Sequence, residues 1–393
     1  MYQFGSKFRF TLFGRSHGPC VGGILEGVPA GFAIDMDAVA EEMILRKPVG
    51  GIGTPRKEAD VPEFVQGVTD GRATGQPILI KIANGNTDGS KYAAFYDTPR
   101  PGHADLPALL KFPDHDLSGS GQFSGRLTAA IVAAGAIAKQ IIAEKGVSVD
   151  AFTRSVGEVA DGSVRTAAEA RGSRAFATRA CTQRLDDAMR DHIERIGASR
   201  DSVGGTVECI ISGLPIGFGG IWFEALDAEL AKAMFGIPAC KGVEFGEGFG
   251  LGRMRGSQSN DGYRMEDGRI VTESNHLGGI VGHYGRSTAG QHHIGAVVHG
   301  DVVGDIMNQG AFGADIGKLL CKHDAPPSGK AALHGAQGTG VLQAVHQHTR
   351  NNRTHSGGDE EGHDVGIERD VTGALAHQQD GDGVGAQTAE DGG

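Results

Sequence analysis

Two histidines sit among residues that leave them little to pack against: His17 in Gly14-Arg15-Ser16-His17-Gly18, and His103 in Pro99-Arg100-Pro101-Gly102-His103-Ala104-Asp105. An imidazole between glycines is placed to face a ligand-sized space, and it titrates near neutrality, so the pair is a candidate acid and base set. One such histidine alone reads more readily as a hydrogen-bonded bystander; the company of basic and small residues in the same half of the chain favours chemistry. Arg46-Lys47, Arg56-Lys57, Arg100, Arg126 and Arg253 with Arg255 each stand beside glycine or proline in a chain whose net charge is −11. Fixed cations in turns of an acidic protein suit a pocket for a multiply anionic metabolite.

These side chains need elements to hold them. Residues 8–13 and 21–26 read as strands flanking the Gly14–Cys20 loop, with Gly27-Val28-Pro29-Ala30-Gly31 as the turn behind them. Asp35 caps a helix over about 36–46 that buries Val39, Met43 and Ile44 or Leu45 and delivers Arg46-Lys47 at its end. Pro77 to Ile82 reads as a buried strand. Leu127 to Lys145 is an alanine-rich helix, apolar nearly all round and closed by Gly146, hence a core helix. It follows Ser118-Gly119-Ser120-Gly121-Gln122-Phe123-Ser124-Gly125-Arg126, a segment able to offer backbone N–H groups and a guanidinium to an anion, or to serve as a plain tight connection.

Helices follow at about 183–197 and 223–235. Between them, Val203-Gly204-Gly205-Thr206-Val207 through Gly213-Leu214-Pro215-Ile216-Gly217 echoes Val21-Gly22-Gly23-Ile24 through Gly27-Val28-Pro29-Ala30-Gly31. The echo suggests an internal duplication of a strand-and-helix layer.

Composition narrows the class. At 393 residues and 39% hydrophobic content the chain can bury a sizeable core. It shows no membrane-spanning run and no secretion signal, so we expect a cytoplasmic protein without a membrane partner. The acidic balance argues against nucleic acid. Cys20, Cys181, Cys209, Cys240 and Cys321 lack the spacing of a disulfide frame or zinc site and read as apolar fillers; no metal is expected.

A series of separated blocks carries a resemblance. Phe4-Gly5, Ser16-His17-Gly18-Pro19, Gly27-Val28-Pro29-Ala30-Gly31, Thr54-Pro55-Arg56-Lys57-Glu58 and Arg100-Pro101-Gly102-His103-Ala104-Asp105 come first. Phe123-Ser124-Gly125-Arg126-Leu127-Thr128-Ala129, Asp201-Ser202-Val203-Gly204-Gly205, Lys241-Gly242-Val243-Glu244-Phe245-Gly246, Arg255-Gly256-Ser257 and Gly278-Gly279-Ile280-Val281-Gly282 follow in order. Residues 1–282, about seven-tenths of the chain, resemble the chorismate synthase family. The resemblance implies an α/β fold, a layered β-α-β-α sandwich forming a single large domain, assembled as a homotetramer.

It also implies a reaction: conversion of 5-enolpyruvylshikimate 3-phosphate to chorismate and phosphate by 1,4-elimination, with reduced FMN and no net redox change. By the same resemblance His17 would act at the phosphate side and His103 beside the flavin. Gln122, Phe123, Ser124 and Gly282 would touch FMN, while Arg46, Lys47 and Arg126 would bind substrate or NADPH, the latter as a reductant.

Departures from the family accompany it. Arg15 replaces a glutamate beside the first histidine, Ser120 stands where glycine is usual, and Gln122 where arginine or histidine is common. From His283 the family's flavin-contacting motifs are not recognisable, and eleven of the sixteen histidines lie after Gly282. Lys322-His323-Asp324 superficially matches one lost segment, but no role is transferred to it. Residues 283–393 therefore read as a non-matching, Gly/His-rich tail, expected to be disordered or misplaced.

A reading-frame shift explains the break: with suitable codons, the neighbouring register of His283 to Arg286 spells the family's Ile-Thr-Asp-Gly turn. The alternatives are an inactive flavin- or anion-binding remnant of the same fold, and a metal-binding tail built on His292-His293, His346, His348, His355 and His363. The irregular spacing of those histidines speaks against the last.

Overall fold

In the computed structural model, residues 2–47, 49, 52, 58–112, 114–281, 286–287 and 291–298 are described. The first strands form where apolar residues alternate. Gln3–Phe4 (β1), Arg9–Gly14 (β2), Cys20–Glu26 (β3), Pro62–Gln66 (β4) and Ile78–Ala83 (β5) make a five-stranded antiparallel sheet in the order β1-β2-β3-β5-β4. The loop carrying His17 joins β2 to β3, as the sequence predicts.

Two helices cover one face of this sheet. In α1 (Met36–Leu45) the Asp35 carboxylate accepts the N–H groups of Asp37 and Ala38, both at 3.0 Å, which satisfies donors left open at a helix start. Val39 and Met43 are buried; of the two residues offered beside them, Ile44 is 62% exposed and Leu45 is half-buried. Thr128–Ala143 (α3) follows Asp105–Lys111 (α2) and buries nearly every side chain against Val21, Leu25, Ile78, Ile80 and Ile82. A helix apolar all round needs protein on every side, and α3 has it. Gly146, at φ +77, ends the run, its N–H bonded to the Ala143 carbonyl.

The second sheet repeats the plan. Ser148–Val156 (β6), Val159–Ala160 (β7), Gly205–Ser212 (β8), Cys240–Phe245 (β9) and Gln291–Val298 (β10) run in the order β9-β10-β8-β6-β7. Side chains on both faces of β8 are buried. Val207, Cys209 and Ile211 meet Leu226–Phe235 (α6), whereas Phe152 and Ile210 on the opposite face meet Ala167–Gly172 (α4). Gln183–Ala198 (α5) packs Met189 on Val156. The chain is thus an α/β sandwich of sheets and helices in layers.

The sequence echo has a structural counterpart. β3 and β8 are each the middle strand of their sheet, and the turns after them share one backbone shape: Gly27 and Gly31 have φ +87 and +82, Gly213 and Gly217 +81 and +80. A side chain at Gly27 or Gly213 would also collide with the carbonyl of Lys7 or Gly146. Both layers therefore require glycine there for the same two reasons.

β10 lies beyond the boundary read at Gly282. It pairs with β8 from Gly205↔Val298 to Ser212↔Gln291 and with β9 on its other edge. Arg286–Ser287 pairs with Ile280–Val281, and the rest of the expected tail lies outside the described residues, as do Gly282, Arg56, Lys57 and Cys321.

Candidate functional site

The Gly/Ser-rich segment before α3 becomes a bed for both histidines. Gly119, Ser120 and Gly121 all have positive φ (+56, +69 and +51), so the chain coils left-handed here. Glycine adopts this freely; Ser120 does so at a cost of about 1–3 kcal/mol. The His17 ring lies against Gly119, and the Ser16 N–H donates to the Gly121 carbonyl at 3.1 Å. On the next residue, Ser120 Oγ is 2.9 Å from His103 Nε2. One short coil therefore brings together two loops that are 86 residues apart in sequence (103 − 17).

His103 stands just before α2, whose first residue, Asp105, is fully buried. Arg100 donates to Asp105 from Nε at 2.7 Å and from a terminal nitrogen at 2.8 Å, and its backbone N–H adds a third bond at 3.2 Å. Burial alone would push the Asp105 carboxyl up; the Arg100 hydrogen bonds and the nearby His103 outweigh it and hold it at about 2. His103 Nδ1 lies 2.7 Å from Asp105 Oδ1, an ion-pair contact in which the ring N–H direction misses the oxygen. Arg100 also lies over the Phe95 ring, 4.5 Å from its centroid, so its fork is fixed on two sides.

His17 is held differently. Its ring meets Tyr92 at a centroid distance of 5.4 Å, and its Nδ1 is buried with no hydrogen bond among the described residues. Its loop is staked by Asn84, whose amide nitrogen donates to the carbonyls of Arg15 (3.0 Å) and Gly18 (2.8 Å). Arg15 itself reaches Asp116 at 3.5 Å. The charge reversal beside His17 is therefore met by a carboxylate across the bed.

Behind this lies a buried ionic cluster. Asp60 receives Arg46 on one carboxylate oxygen and Arg126 on the other. Arg126, whose side chain is 4% exposed, also donates to Asn84 at 2.9 Å and to the Ala83 carbonyl at 3.3 Å. Sequence assigned Arg46, Lys47 and Arg126 to anion binding. The structure gathers Arg46 and Arg126 on Asp60 and turns Lys47 Nζ to the Ala59 carbonyl at 2.8 Å. Arg126 is a strut for the His17 loop, through Asn84.

Of the segment assigned to FMN, Ser124 Oγ accepts the Arg126 N–H at 3.2 Å. Phe123 packs on Phe112 and His115 at centroid distances of 5.9 and 5.5 Å, and Gln122 is half-buried.

Sequence reasoning passed over Asp60, Asn84 and His115. Asp60 had one available signal, an acidic residue closing a basic loop. His115 is buried 12 residues after His103 (115 − 103), and burial pushes its pKa down.

The site can be set beside known proteins. The model of the chorismate synthase family matches residues 8–298. The chain belongs to the chorismate synthase family. Chorismate synthase of Thermococcus kodakarensis is 41% identical over 279 residues, 71% of this chain and 78% of that protein. That of Aeropyrum pernix is 43% identical over 286 residues, covering 71% and 74%. A crystal structure of chorismate synthase aligns with a TM-score of 0.66 at 24% identity, over 90% of this chain and 99% of its own; it shares the fold. Chorismate synthases are lyases of the shikimate pathway.

Proposed function

We propose that this chain is an active chorismate synthase, a carbon–oxygen lyase that takes 5-enolpyruvylshikimate 3-phosphate to chorismate and phosphate. The observation that carries the reading is the convergence of His17 and His103 on the Gly119–Ser120 coil, beside fixed guanidinium groups. Two imidazoles on one narrow bed can serve two atoms of one small substrate.

Reduced FMN fits the same place. The orphaned His17 Nδ1 is a buried polar atom awaiting a partner. Gln122, Phe123 and Ser124, with Gly282 outside the described residues, would hold it. When bound it supplies electron density to the breaking C–O bond.

The chain's own residues supply the rest. His17 holds a proton toward the leaving phosphate oxygen, which lowers the charge that must build there. His103 is steadied by ionised Asp105, and Arg100 ties Asp105 to the bed. Lys47 presents positive charge to the substrate's anionic groups or to NADPH as reductant, while Arg46 and Arg126, buried on Asp60, hold the neighbouring loops in place. We further propose a homotetramer, located in the cytoplasm, without nucleic-acid or membrane partners. We keep 1–282 as the family-like core and 283–393 as a candidate out-of-frame segment; the family match running to residue 298 and the pairing of 291–298 with β8 and β9 count against a break at 283.

The test is turnover of 5-enolpyruvylshikimate 3-phosphate by the full chain with FMN under reducing, oxygen-free conditions, following chorismate and phosphate. Equal release of both is expected; a folded, flavin-loaded chain that makes neither overturns the reading. Light scattering reads the oligomer. The nucleotide sequence around codon 283 settles the frame: a neighbouring register without Ile-Thr-Asp-Gly removes the shift.

A further inference from the structure

The structure assigns Ser120 a second chemistry: with His103 and Asp105 it forms a serine nucleophile unit able to hydrolyse small carboxylic esters. Ser120 Oγ is 2.9 Å from His103 Nε2, and His103 Nδ1 faces Asp105 Oδ1 at 2.7 Å. Asp105 is fully buried and oriented by three hydrogen bonds from Arg100. This is the order nucleophile, base, orienting carboxylate, in which the third group fixes the imidazole's tautomer. The off-axis contact at Nδ1 is of the kind that tightens when a ligand closes the site.

Two features aim the hydroxyl. Arg100 donates to Ser120 Oγ at 3.4 Å, and with His103 Nε2 unprotonated the serine's own proton lies toward that nitrogen. Ser120 also carries its hydroxyl at φ +69, between two glycines that already make the turn. A third glycine would form this coil without strain, so the backbone gains nothing from serine. What the serine adds is an oxygen on His103; Ser120 as a residue is 8% exposed and the His103 side chain 31%.

The step balances with water as the only co-reactant. Ser120 Oγ attacks the ester carbonyl carbon as its proton passes to His103 Nε2. The bond to the leaving alcohol breaks, and His103 returns that proton to the alcohol oxygen. The acyl group then sits on Ser120 as an ester. Water gives a proton to His103, attacks the same carbon and releases the acid, and the proton goes back to Ser120. Arg100, fixed beside the reacting oxygen, favours esters that carry a negative charge and steadies the oxyanion.

The probe is p-nitrophenyl acetate on the full chain, with intact mass and peptide mapping after a rapid acid quench. A burst of about one p-nitrophenolate per chain is expected, with acetate on Ser120. Ser120→Gly, which relieves the backbone and so keeps the fold, loses the burst; Asp105→Asn slows it at least about a hundredfold. Acetate only on His103 or lysines overturns the assignment, as does an unchanged burst in Ser120→Gly. No flavin enters this assay, so its failure and a failure to make chorismate are separate results.

Discussion

His17 and Gly119 touch so closely that a Cβ on Gly119 would stand 2.5 Å from His17 Cδ2 and 2.6 Å from Nε2. The glycine is therefore part of how the histidine is aimed. Its φ of +56 adds a second reason for the absence of a side chain.

Gly119→Ala tests this directly. The ring must move by a few tenths of an ångström or more, and displacements of about 1 Å at a reacting group cost on the order of a hundredfold in rate. We expect chorismate formation to fall by roughly that factor. Circular dichroism should remain native, with stability lower by about 1 kcal/mol from the backbone conformation.

Asp60 joins Arg46 and Arg126 inside the protein, so Asp60→Asn removes the carboxylate they share and leaves Glu58, 4.0 Å from Arg126, as the nearby anion. Asparagine accepts the positive φ of +53 at this position, which separates the charge effect from backbone strain. Removing one partner from a buried ionic group costs about 3–5 kcal/mol, and the urea midpoint should fall accordingly.

The acid limb of stability should carry an Asp105 signature. Its carboxyl is held at about 2 against an ordinary 3.8, so the folded chain binds fewer protons than the unfolded one between those values. That contribution is present above pH 3.8 and is lost as pH falls toward 2. Asp105→Asn should be less stable than the parent at neutral pH, with the gap in urea midpoints closing as the pH is lowered from 5 to 3.

Packing along α3 and α1 gives a contrast. Ala134 is fully buried, so Ala134→Leu overpacks the layer and should cost about 1–3 kcal/mol. Ile44 is 62% exposed, and Ile44→Ser should stay within about 0.5 kcal/mol. Thermal melts of the two variants read the difference.

Much was legible in the sequence because it is local. The Asp35 cap, the apolar α3 ended by Gly146, and the loop between β2 and β3 rest on propensities and periodicities confined to a few turns of chain. The repeated Gly-apolar-Pro-small-Gly turns followed for the same reason, since a positive φ leaves its mark on a single residue. The two histidine blocks could be read as chemistry because their neighbours are small.

What only the tertiary structure decided is which groups face each other. Arginine's reach covers many partners, and no local signal says that Arg46 and Arg126, 80 residues apart (126 − 46), share Asp60, or that Asn84 ties Arg126 to the His17 loop. The pairing of β10 with β8 is likewise a long-range choice, set by two sheets already in place. Ser120 stood in the sequence as a departure from glycine; its distance to His103 exists only once the coil before α3 turns left-handed and α2 brings Asp105 beneath the ring.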